Sequence, residues 1–220
     1  MFSSKIEVRL MFNRVILIVD DNIRIREIEI PQYDEAIKER KIQNTELEKY
    51  DFEIIQKTSI EDAEKYLAER PILDVLLIDY NFNNSIGDRT GIDLIKLVRE
   101  TVNKHCKIIF YTMDQIENVG CEALAELLNY HIYRFVDKAD DPNMIEYILQ
   151  AALEADPVVT SLEHFFETYK PLFNKFNFKV AGIDCTVDDI LSHIRMDDEF
   201  GNIFVQKLLH KAMISFTEFQ

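Results

Sequence analysis

The sequence has no apolar run approaching the ~20 residues that a bilayer-spanning helix needs. Its first residues, MFSSKIEVRLMF, lack the unbroken apolar stretch and small-residue cleavage site of a signal peptide. No membrane partner and a cytoplasmic location are therefore expected. Cysteine is sparse: Cys106, Cys121 and Cys185 are odd in number, scattered, and form no C-x-x-C pair. They read as reduced, mostly buried thiols. The five histidines, His105, His131, His164, His193 and His210, make no H-x-x-x-H arrangement, so zinc chemistry has no support. Positive charge is short too, with 25 Lys and Arg against 40 Asp and Glu and a net charge of -15. Residues 157–220 hold 6 basic against 9 acidic residues, so neither half of the chain concentrates the positive charge that phosphate neutralisation requires. Nucleic acid is not an expected partner. No internal repeat or low-complexity segment is present.

What is there is a regular alternation. Between residues 15 and 155, short apolar runs (VILIVD, FEIIQKT, LDVLLID, KIIFYT and IYRFVD) alternate with helix-period segments at 33–48, 59–70, 91–103, 116–130 and 141–155. Ser59 with Asp62 fits a capping box, and Asp141 before Pro142 fits an N-cap with proline at the first helical position. Five strands alternating with five helices predict an α/β fold with a doubly wound parallel sheet. Continuously apolar strands fit a sheet buried on both faces. After Asp156-Pro157 the character changes: residues 157–220 hold 9 of the 15 Phe and read as helical. Helices are expected over 161–176, broken or kinked at Pro171, over 187–194 behind a Thr186/Asp189 capping box, and over 199–216. FKVAGID between them is a short strand or a turn. The expected organisation is therefore 1–156 and a small helical unit at 157–220. At 64 residues that unit makes only a marginal core alone, so its aromatics serve either a core or a dimer or partner interface.

The run VILIVDDN drives an apolar strand into two adjacent carboxylates, Asp20 and Asp21, and VLLIDYNFN ends the third strand on Asp79. In an open parallel sheet the functional crevice lies outside the carboxyl ends of the strands. All three carboxylates are expected at that rim, and three carboxylates within a few ångströms need a cation to stay ionised. A hard divalent ion such as Mg²⁺ suits one or two carboxylates, a carbonyl, waters and a phosphate oxygen. Strand four ends on Thr112, and Lys138 follows strand five. Carboxylates, a hydroxyl and an ammonium on one rim suit the placing of a phosphoryl group on a carboxylate.

Five pieces in order, over roughly residues 14–156, closely resemble the receiver domain of two-component response regulators. They are the acidic pair in VDDN, the aspartate in LLIDY, the glycine opening GIDLIKLVRE, the threonine in IIFYT and the lysine in FVDKADDP. The resemblance implies a flavodoxin-like five-stranded sheet of order 2-1-3-4-5. It makes Asp79 the phospho-acceptor, served by a histidine kinase or phosphotransfer protein. Asp20 and Asp21 would hold Mg²⁺ directly or through water, helped by Asp79 and the backbone carbonyl of Asn81. Lys138 would pair with the acceptor and then the phosphoryl oxygen, Thr112 would move to that oxygen, and Phe135 would be the aromatic switch. Self-phosphorylation and autodephosphorylation would be the only enzymatic acts, with no second catalytic motif in the chain. Output would go to an unidentified protein target of the C-terminal unit, with a homodimer as one form. Taken singly, Asp20 and Asp21 read as sheet-end caps, Lys138 as a surface lysine, Thr112 as a helix N-cap and Phe135 as core.

The sequence also departs from that pattern. Met113 stands where the family favours a small residue, and Ala139 where it has proline. IRIREIEIPQ reads as an insertion, because Pro31 should not sit inside the first helix. YNFNNSIGDRT is a long loop. Both flank the rim, as a lid, a partner surface or a block. Two other readings follow: a degenerate receiver-like scaffold regulated by partner binding, and a Mg²⁺-dependent phosphohydrolase with its nucleophile after strand one. The second wants D-x-D there, which VDDN does not supply.

Overall fold

The computed structural model describes residues 11–82, 89–112, 119–137, 143–173, 175 and 178–218. Strands β1 (Phe12–Val19), β2 (Tyr50–Lys57), β3 (Val75–Asp79), β4 (Lys107–Thr112) and β5 (Arg134–Asp137) pair in parallel, in the order β2-β1-β3-β4-β5. This is the flavodoxin-like order, as expected. Alternation along each strand builds two cores. Ile16, Ile18, Val75, Leu77, Ile109 and Tyr111 face one helical layer, where Ile148, Ala151 and Ala152 of α5 (Met144–Leu153) meet them. Leu17, Val19, Leu76, Ile78, Ile108 and Phe110 face the other, with α2 (Ile60–Glu69), α3 (Gly91–Leu97) and α4 (Cys121–Asn129). The middle of each inner strand is apolar on both faces because both are covered. Cys106 and Cys185 are buried free thiols, as expected, whereas Cys121 is exposed.

Several helical expectations need correction. Pro31 does lie within the first helix. A π-turn over Ile25–Glu29 runs directly into α1 (Ile30–Gln43), with Pro31 at the start of the α-helical part. The π-turn takes up an extra residue, as its closing bond from the Ile30 N–H to the Ile25 carbonyl shows. Pro31 has no N–H to lose at the first α-turn, so the rod passes through it. The residues after α1 form a 3₁₀ turn, Thr45–Lys49, opened by the Asn44 side chain. α2 is capped by Ser59, whose hydroxyl accepts the Asp62 N–H. The expected beginnings of the fourth and fifth helices, at 116 and at Asp141-Pro142, lie outside the described residues.

The chain then continues as α6 (Pro157–Phe173), a hairpin of β6 (Phe178–Val180) and β7 (Ile183–Cys185), α7 (Val187–Arg195) and α8 (Glu199–Glu218). α6 starts four residues earlier than expected, because the Asp156 carboxylate accepts the N–H groups of Val158 and Val159. It also runs through Pro171 and ends two residues later, so of the expected break or kink the break does not occur. FKVAGID is both strand and turn: Ala181 and Gly182 take φ of 51° and 88°, the two left-handed positions of a type I′ hairpin. Both halves of the Thr186/Asp189 capping box form. Val159, Phe166, Val180, Ile190, Leu191 and Ile194 make a core for these elements.

These elements dock on the end of the sheet opposite to the carboxylates. Arg14, at the start of β1, is buried with its Nη1 2.8 Å from Asp74 and 2.5 Å from the Thr160 hydroxyl of α6. The other Asp74 oxygen accepts the Val15 N–H at 2.8 Å. Beside this lies a second buried pair, Arg195 Nε to Glu163 Oε1 at 2.5 Å. The Lys104 N–H and His105 Nε2 bond the carbonyls of Arg195 and Ile194. Burial outweighs Arg195 at Glu163 and pushes its pKa up to about 7, and burial raises Asp74 as well. A carboxyl whose pKa rises on folding binds its proton more tightly in the native state. Its stabilisation is complete below the ordinary carboxylate range and is lost as pH rises through the folded value. Thermal melts should therefore fall by several degrees between about pH 5 and 7.5, and Glu163→Gln should flatten that slope. Equal slopes in the two proteins would refute this origin.

Candidate functional site

Parallel register sets the level of the rim. Val19 pairs with Ile78, so Asp20, the first residue beyond β1, comes level with Asp79, the last of β3. Asp79 in turn pairs with Tyr111, and Thr112 lies one residue further along β4, opposite Asp137. Asp20 thus follows its strand rather than ending it, although its N–H still bonds the Lys57 carbonyl of β2. Asp20 is fully buried, Asp79 is 8% exposed, and Thr112 is buried. Asp21 is half-buried and Asn81 exposed. Phe135 is partly buried, edge-on to Phe110 at 5.9 Å, which is edge-on to Tyr80 at 5.8 Å. A line of three rings thus joins β5 to the residue after Asp79. Lys138, Met113 and Ala139 lie outside the described residues.

Backbone donors orient the carboxylates. Asp79 Oδ1 accepts the Tyr80 N–H at 2.7 Å, and Asp20 Oδ1 accepts the Asn22 N–H at 2.7 Å. Gln56 of β2 ties the turn by donating to the carbonyls of Asp20 and Asn22. On the far side, the Gly91 N–H bonds the Tyr80 carbonyl, and a Cβ on Gly91 would stand 2.1 Å from the Asp79 carbonyl oxygen. The start of α3 can close on β3 only without a side chain there. The reciprocal Thr90/Asp93 capping box holds this start, and Arg89 pairs with Glu61 and Glu64 of α2. The end of the long 80–90 loop is thereby tied to α2; its residues 83–88 lie outside the described residues.

Sequence reasoning passed over Tyr111. Asp20, Asp79 and Tyr111 share a level and, by alternation, the same face of the sheet. The Tyr111 hydroxyl therefore passes beneath β3 and donates to Asp20 Oδ2 at 2.6 Å. Burial, then the negative charge of Asp20, hold the Tyr111 hydroxyl well above its ordinary pKa. Tyr33 of α1 is raised as well, by burial and by Glu29. The available signal was a tyrosine at an inward position next to the Ile108-Ile109-Phe110 run of β4; a buried Tyr O–H needs an acceptor.

The donors on this rim are hard oxygens, the kind that Mg²⁺ prefers. Among the described residues, however, no group of three or more His, Cys, Asp or Glu side chains is placed to hold a metal ion together. The three carboxylates expected to share one cation are thus not gathered into a closed cage; one or two of them, a backbone carbonyl and waters would be the set left for Mg²⁺.

No family model matches the sequence, and no curated protein matches it. Solved structures do. The chain is similar to a response regulator receiver protein from Pseudomonas putida at 20% identity, covering 63% of this chain and 94% of that one, with a TM-score of 0.45. It is similar to RcsB from Salmonella enterica serovar Typhimurium at 23% identity, covering 72% and 82%, with a TM-score of 0.41. A structure described as adenylate cyclase from Rhodopirellula baltica matches at 18% identity over 70% and 98%, with a TM-score of 0.47. Among the described residues no helix is long and apolar enough to cross a membrane.

Proposed function

We propose that this chain is a phosphoryl-accepting receiver with Asp79 as the acceptor. The observation that supports it is the level register of β1, β3 and β4, which brings Asp20, Asp79 and Thr112 to the carboxyl end of one sheet. An Asp79 oxygen attacks the phosphorus of a phosphohistidine on a histidine kinase or phosphotransfer protein. The P–O bond forms as the P–N bond breaks, and that electron pair returns to the imidazole nitrogen. Asp21 and Asp79, with the Asn81 carbonyl, would hold a Mg²⁺ directly and Asp20 through water; when bound it neutralises charge on the phosphoryl oxygens. The Tyr80 N–H fixes the Asp79 carboxylate for attack. Thr112 then hydrogen-bonds a phosphoryl oxygen, Lys138 pairs with another, and Phe135 turns inward as Thr112 moves, altering the surface of β5 and α4. The signal passes to a protein target, not to nucleic acid.

One observation favours a second reading, a receiver-like scaffold regulated by partner binding. Both oxygens of Asp20 already accept hydrogen bonds, from the Asn22 N–H and the Tyr111 hydroxyl. Intact mass after incubation with a small-molecule phosphodonor and a purified phosphotransfer protein, with and without Mg²⁺, separates the two. The receiver reading expects a Mg²⁺-dependent phosphoryl adduct that Asp79→Asn lacks. No adduct from either donor, or an equal adduct on Asp79→Asn, would reject it.

A further inference from the structure

The second half of α8 is the least covered regular segment among the described residues. Residues 206–215 are all exposed, ten helical positions in succession, including Leu208, Leu209, Met213 and Ile214 at 40–68% exposure. The first half is seated: Phe200, Ile203, Phe204 and Val205 pack on the core of the C-terminal elements. A helix of this length spans about 30 Å, so roughly 15 Å of it projects past the body. An isolated stretch of that length is marginal as a helix in water and is held by packing when it has a partner.

A matching surface lies on α6. Val158, Leu162, Phe165, Tyr169 and Leu172 repeat at intervals of four and three, the spacing of a helix-pairing seam. Four of them, Val158, Phe165, Tyr169 and Leu172, are 39–52% exposed, and the rings of Phe165 and Tyr169 lie tilted against each other at 5.1 Å. On α8, Leu209 and Ala212 continue the same spacing from Val205, which is itself seated on the core.

We infer that the projecting half of α8 docks on the α6 stripe of a second copy of this chain, reciprocally, to form a two-fold dimer. Charge chooses this occupant. Residues 200–217 carry Lys207, His210 and Lys211 and no acidic residue, in a chain of net charge -15. Two α8 helices side by side would bring like charges together, whereas the α6 stripe is flanked by Glu167 and, from α7, Asp188, two exposed carboxylates that share the cation Lys170 and leave a net negative edge. A basic amphipathic helix also suits an anionic lipid surface, but a body this acidic is repelled from one. Area agrees as well. Eight large side chains, four exposed on each helix, each burying about half of ~150–200 Å², give about 600–800 Å² per copy, close to the ~800 Å² per partner of a stable interface. The inference stands apart from phosphorylation, so it can fail while the receiver reading holds, and the converse.

The test is the mass of the full chain by light scattering and sedimentation up to about 100 μM, for the wild type, for Leu209→Glu with Met213→Glu, and for Tyr169→Glu. The substituted side chains are exposed, and circular dichroism confirms that each variant stays folded. The expected result is a wild-type mass near twice 25.9 kDa, with dimerisation weakened at least ten-fold in both variants. Lys207→Glu with Lys211→Glu should weaken it as well. A monomeric wild type, a dimer indifferent to these substitutions, or binding to anionic vesicles in place of self-association would overturn the inference.

Discussion

Asp74→Ala should lower the unfolding free energy by about 3–5 kcal/mol, the usual result of removing one partner from a buried ion pair. Asp74 is 4% exposed and does three things at once. It accepts from Arg14 at 2.8 Å, from the Val15 N–H at 2.8 Å and from the Thr160 hydroxyl at 3.1 Å. Alanine leaves the Arg14 guanidinium buried without its carboxylate, beside an Nε that already has no partner. It also removes the acceptor that joins the first strands to α6. A loss of that size is a large fraction of the 5–15 kcal/mol total of a typical domain. Urea titration followed by circular dichroism reads it as a fall in midpoint. A change under about 1 kcal/mol would show that Arg14 finds water or another partner and that the junction is not held this way. Removing both charges with apolar residues of similar volume, Arg14→Met with Asp74→Leu, should cost less than Asp74→Ala alone.

Gly91→Ala should be nearly as damaging, and its effect should reach the rim. The added Cβ would stand 2.1 Å from the Asp79 carbonyl oxygen and 3.1 Å from Ile78 Cγ1. The first of these is backbone in a buried strand, so it has no rotamer by which to yield. Either α3 moves outward, or the end of β3 shifts and carries the Asp79 carboxylate with it. Overpacking costs about 1–3 kcal/mol, and here the upper end or more is expected. Any folded variant should also lose acceptor activity beyond its loss of stability, since small misplacements of a reacting group weigh heavily on rate. Melting and phosphoryl-adduct formation measured on the same preparation separate the two effects. Wild-type stability and adduct rate together would mean that α3 does not close on β3 as described.

Gly91 also shows what kind of information each level held. In the sequence it was one of five ordered landmarks; the reason for it is a backbone contact between two elements that the chain brings together. Pro31 and Pro171 make the opposite point. Local rules predicted interruptions at both, and at both the helix continues. A π-turn over Ile25–Glu29 takes up an extra residue ahead of Pro31, and α6 carries Pro171 in its last turn, where the helix is about to end anyway. The Thr186/Asp189 box was legible because every group in it lies within four residues.

The sequence by itself determined the alternation of elements, the two-faced burial of the strands, the position of Asp79 at the end of β3 and the change of character at Pro157. These follow from periodicity and short-range capping, which act over a turn of helix or a few strand residues. Only the tertiary structure decided where the C-terminal elements sit, that Arg14, Asp74 and Thr160 meet across 146 residues of chain, and that Tyr111 reaches under β3 to Asp20. Those are contacts between side chains far apart in sequence, set by strand register and by the packing of α6 on the sheet end. A buried polar group shows its need for a partner in the sequence, but which partner answers it depends on what the fold brings within 3 Å.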